Sequence, residues 1–103
     1  MVATAKIASR ISRYLQAILA NVEDLPVLAK EWEMLPDGER ASDALQWDHL
    51  MADYLTELDE HYRAGRMTSP QQACYQDLLS KLKEAIPIIQ KLNLYRPPVP
   101  LEI

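Results

Sequence analysis

Phenylalanine is absent from this 103-residue chain, cysteine occurs once and glycine twice. Each shortage excludes something. A lone Cys74 cannot close an intramolecular disulfide, so a secreted disulfide scaffold is not expected. Gly38 and Gly65 stand apart, which leaves no glycine-rich phosphate loop and no dinucleotide fingerprint. They are also too few for the tight turns of a sandwich or barrel, and this argues against an all-β fold. No apolar run approaches the length that spans a bilayer. The basic residues near the start are not followed by a continuous apolar segment, so no signal peptide is expected. By elimination the expected compartment is the cytoplasm.

What is present reads as helix. Apolar residues make up 49% of the chain and charged residues 25%, the profile of an ordinary folded domain. Ile7, Ile11, Tyr14, Ile18, Val22 and Leu25 recur at steps of three or four, one stripe of an amphipathic helix. Leu28, Trp32 and Leu35 continue it beyond Pro26, so that proline should either kink the helix or make it restart with Asp24 as cap. Pro36-Asp37-Gly38 signals a turn, and the second helix should begin there, capped by Asp37 or Ser42. Its apolar set is Leu45, Trp47, Leu50, Met51, Tyr54, Leu55, Leu58 and Tyr62, broad enough to face two neighbours. Gly65 should close it in the left-handed conformation. Ser69-Pro70-Gln71-Gln72 predicts an N-cap at Ser69 with a capping box. The third helix follows with Tyr75, Leu78, Leu79, Leu82, Ile86, Ile89 and Leu92, bent at Pro87 and ended by Asn93.

The expected fold is therefore all-α: an antiparallel bundle of three long helices over residues 1–95, the first and third kinked at proline. Residues 96–103 hold three prolines and should form an extended arm, with Tyr95, Val99, Leu101 and Ile103 on one side. About two thirds or more of the chain should be helical. The expected core includes Trp47, Met51, Leu55, Leu58, Leu78, Leu82 and Ile86. A second helix of roughly 22–27 residues would be about 33–40 Å long, so the molecule should be elongated around a thin core.

Charge is unevenly spread. Residues 1–22 carry +3 from Lys6, Arg10 and Arg13; residues 23–60 carry −10; residues 61–103 carry +3. An acidic middle helix beside two basic ones is self-complementary, and the overall −4 argues against nucleic acid as partner. Lys6, Arg10 and Arg13 form a basic strip, expected opposite the Ile7, Ile11, Tyr14 stripe as a solvated back face or a contact for an anionic surface.

The strongest candidate for chemistry is the row His49, Asp53, Glu57 and His61. Each follows the last by four residues, so all lie along one helix face, and histidine with carboxylate at that spacing suits zinc, iron or manganese. A closed site needs ligands from a second helix, and no third histidine exists. Glu57 and Glu60 make an ExxE pair, but the second acidic pair that would share a magnesium is missing. Cys74 lies beside a core position with no histidine near it in sequence, so it reads as packing. The leading expectation is a non-enzymatic interaction protein that needs no cofactor and binds a protein partner or a second copy as a homodimer, without nucleic acid or membrane. The alternative is a metal-binding or metal-dependent hydrolase bundle using the row.

Overall fold

The computed structural model describes residues 4–101. Helix accounts for 82% of it, and no strand occurs among the described residues. Helix α1 spans Ala5–Glu31 and is extended by a 3₁₀ turn, Trp32–Met34. Thr4 caps it, accepting a hydrogen bond from the Ile7 amide. The helix does not restart at Asp24; it runs unbroken through Pro26. Its buried residues, Ile11, Leu15, Ile18, Val22 and Leu25, keep strict four–three spacing.

The middle rod is one continuous helical stretch in three parts: α2 (Asp37–His49), a π-helical turn (Leu50–Leu55) and α3 (Thr56–Arg63). Its cap is neither Asp37 nor Ser42. Pro36 takes the extended cap conformation and Asp37 becomes the first helical residue, its carboxylate near the positive helix end and accepting from Arg40 at 2.7 Å. The π turn has a steric logic. From Trp47 and Met51, an unbroken four–three alternation would bury position 54. The wider turn shifts the phase, so Leu55 is fully buried and Tyr54 is only half-buried beside it. At the far end Gly65 adopts φ +71°. The Gly65 amide donates to the Tyr62 carbonyl and the Arg66 amide to the His61 carbonyl, a complete Schellman closure.

Helix α4 covers Ser69–Lys91. The cap expected at Ser69 lies one residue earlier: the Thr68 hydroxyl accepts from the Gln71 amide, and the Gln71 side chain accepts from the Thr68 amide. The same glutamine, only 9% exposed, donates its Nε2 to the Ala8 carbonyl and the Ser12 hydroxyl, both at 2.9 Å. One side chain thus closes the cap of α4 and pins α4 to α1. Thr68→Ala should lower stability by about 1 kcal/mol. Ser69→Ala should change it by less than about 0.5 kcal/mol. Urea midpoints of the two variants check the assignment, and equal midpoints would refute it. The C-terminus repeats the closure of the middle rod, with Asn93 at φ +55° and the Leu94 amide donating to the Ile89 carbonyl.

The rods pair in consistent directions. Gln71 meets Ala8 and Lys81 meets Glu23, so α1 and α4 run the same way. Glu57 meets Arg10 and Tyr54 stacks on Tyr14, so the middle rod runs opposite to α1. Tyr75 donates to Asp59 and Gln76 to Tyr62 across α3 and α4. The molecule measures 47 × 25 × 18 Å.

Trp47, Met51, Leu55, Leu58, Leu78 and Leu82 are all buried. Two expected positions differ. Ile86 is half-buried, and Ala85 takes the core place between Leu82 and Ile89. Leu45 is 69% exposed, because it lies on the outer face of α2, a helix whose one buried residue, Trp47, faces the core. Beyond α4, Pro97 is buried and Val99 and Leu101 pack against the core. Ile103, expected to share that side, lies outside the described residues.

Candidate functional site

The basic strip of α1 and the row on the middle rod, separate in sequence, meet on one face. Arg10 reaches across to Glu57 at 2.8 Å and also donates its Nε to the Tyr14 hydroxyl at 3.0 Å. That hydroxyl and then the Glu57 carboxylate raise the Arg10 pKa and hold the guanidinium charged. Tyr14 in turn stacks on Tyr54 with centroids 4.0 Å apart and planes 6° from parallel. His49 lies tilted against Tyr54 at 5.1 Å. The strip is therefore not opposite the apolar stripe. It flanks it, because Arg10 folds over Tyr14, its guanidinium 5.3 Å from the ring centre.

Together Lys6, Ile7, Arg10, Arg13, Tyr14 and Tyr54 line a concavity of about 560 Å³. Its aromatic wall exists because the π turn presents Tyr54 to α1. Among the described residues neither Lys6 nor Arg13 has a carboxylate partner.

The row itself divides into two pairs. His49 Nδ1 lies 2.5 Å from Asp53, with both side chains more than half exposed. His61 Nε2 lies 3.3 Å from the second oxygen of Glu57, whose first oxygen accepts from Arg10. His61 is only 12% exposed, and its Nδ1 lies 3.4 Å from an Arg66 nitrogen. Glu57 is thus committed on both oxygens to protein partners. Among the described residues no group of three or more His, Cys, Asp or Glu side chains converges on a common point. Cys74 is half-buried, and burial followed by the Asp77 charge pushes its thiol pKa up, away from the reactive thiolate. The chain matches no family model, no curated protein and no solved structure. No helix among the described residues is long and apolar enough to cross a membrane.

A polar cluster that the sequence did not signal sits next to the row. Asp59 accepts from Arg63 at 2.7 Å and from the hydroxyl of fully buried Tyr75 at 3.0 Å. Burial first, and the Asp59 bond second, raise the Tyr75 pKa well above the ordinary phenol range. In the unfolded chain a tyrosine ionises near pH 10. Above that pH the unfolded state therefore binds fewer protons than the folded one, and stability falls as pH rises. Tyr75→Phe should flatten that alkaline slope. Urea midpoints between about pH 8 and 11 test this, and an unchanged slope would exclude Tyr75 as its source.

Proposed function

We propose that this chain is a non-enzymatic interaction module: an antiparallel bundle of three helical rods that self-associates and docks a protein partner. The observation that supports this best is the basic–aromatic concavity, where Lys6 and Arg13 have no carboxylate partner among the described residues and the half-buried Tyr14 and Tyr54 form part of the lining. Groups suited to catalysis are engaged in pairs instead.

Sedimentation equilibrium tests the self-association: the mass should rise toward twice that of the chain at rising micromolar concentration. A strictly monomeric mass would remove the homodimer. Melting with added zinc or manganese separates this reading from the metal-binding or hydrolase alternative, since a metal that binds only the folded state raises the melting temperature. No rise is expected. A rise that His61→Ala removes would favour the alternative.

A further inference from the structure

The concavity on α1 is electrostatically incomplete. Lys6, Arg10 and Arg13 follow one another at steps of four and three, so they are like-charged neighbours that repel. Lys6 also lies in the first turn of α1, near the positive end of its dipole, and that turn holds no acid to offset it. Among the described residues only Arg10 of the three has a carboxylate partner, Glu57. The rest of the lining is Ile7, Tyr14 and Tyr54, an apolar and aromatic floor beneath cationic rims.

We propose that this concavity is the docking site for an acidic segment of a partner protein, with carboxylates at Lys6 and Arg13 and one large apolar side chain against the two tyrosines. The proposal rests on the interaction-module reading and names the chemistry of the partner. Size favours a peptide. The strip covers seven helical steps, about 10 Å along the axis, the reach of two or three side chains. A volume of about 560 Å³ falls in the range of ordinary ligand clefts. Charge favours it too. Asp53 and Glu57 stand on the neighbouring rod, and the chain is −4 overall. A nucleic-acid strand or an anionic bilayer is charged well beyond the strip and would be repelled by that acidic rod. A short acidic segment needs carboxylates only at Lys6 and Arg13, on the α1 side of the concavity, and meets the acidic rod only through the uncharged Tyr54. The half-buried side chains of Ile7, Tyr14 and Tyr54 give such a segment a place for an apolar anchor, which a bare anion cannot use.

The test is a titration of the isotope-labelled full chain, read by amide shifts, with a synthetic peptide of glutamates around a central leucine. Shifts should concentrate at residues 6–14 and 50–55, and binding should weaken with added salt. Replacing the leucine by glycine should weaken it as well. The double variant Lys6→Glu, Arg13→Glu alters two exposed side chains that have no carboxylate partner among the described residues and relieves their repulsion with Arg10, so its melting temperature should be retained or raised while the peptide affinity falls about tenfold or more. Equal affinity of the variant would overturn the proposal. So would inorganic phosphate shifting the same amides as strongly as the peptide, or vesicles of anionic lipid binding where the peptide does not. A chain that self-associates yet ignores the acidic peptide keeps the interaction-module reading and loses this one.

Discussion

Leu82→Ala should lower the unfolding free energy by roughly 2–5 kcal/mol, the range for truncating a buried leucine. Leu82 is fully buried, midway along α4 and in register with Leu78, Ala85 and Ile89. The surroundings cannot close over the space. Gln71 ties α4 to α1 one end of the helix away, and the Asp59–Tyr75 bond ties it to α3. Ala85, one turn on, offers no bulk to fill the gap. The loss should therefore include the cavity and not the transfer of methyl groups alone. Ile86→Ala should lose less, because that side chain is only half-buried. Urea midpoints at unchanged slope measure both. A loss below about 1 kcal/mol at Leu82 would mean that the register is wrong.

Ile86 and Ala85 illustrate how far the sequence could be read. Long four–three stripes identify the rods, because only a helix brings those positions to one side. The left-handed closures at Gly65 and Asn93 were legible for a similar reason, since few residue types tolerate positive φ. Within α4, however, the strict register is Gln71, Tyr75, Leu78, Leu82, Ala85, Ile89 and Leu92, and two of its members are not large and apolar. Hydrophobicity picks Ile86 over Ala85. Packing picks Ala85, which is buried in the core with Leu82 and Ile89. Ser69 and Thr68 are both competent caps, each with a glutamine three residues on; the structure uses Thr68, whose box partner Gln71 also bonds Ala8 and Ser12 of α1, a tertiary contact that local spacing does not show.

The candidate site was legible as a set of residues but not as an arrangement. The spacing of His49, Asp53, Glu57 and His61 does place them along one rod. Spacing alone could not show that Glu57 would be engaged by Arg10, because that bond joins positions 47 residues apart. Nor does any local signal announce the π turn. It follows from a tertiary demand, the burial of Leu55, and it is what presents Tyr54 to Tyr14. Arg10 then turns over the ring, and a strip expected to face solvent becomes the rim of a concavity.

Trp47→Ala should lower the unfolding free energy by about 3–5 kcal/mol. Trp47 is the one buried residue of α2, 3% exposed. Ahead of it the helix offers Leu45 to solvent and half-buries only Ala44 and Asp43 nearby, so little else holds that half of the rod. The indole does two jobs. Its rings belong to the same buried core as Leu25 and Leu94. Its Nε1 donates to the Tyr95 carbonyl at 2.7 Å, which fastens the chain just after the closure of α4. Trp47→Phe separates the two, since it keeps a ring and removes the donor. It should lower stability by about 1–3 kcal/mol, from the smaller ring and a part-buried carbonyl left without its partner. Amide exchange should then quicken together in residues 37–46 and 94–101, because the same side chain restrains both. If Trp47→Phe left the urea midpoint and both sets of amides unchanged, the bond to Tyr95 would make no contribution, and α2 would have to be held by contacts other than this one.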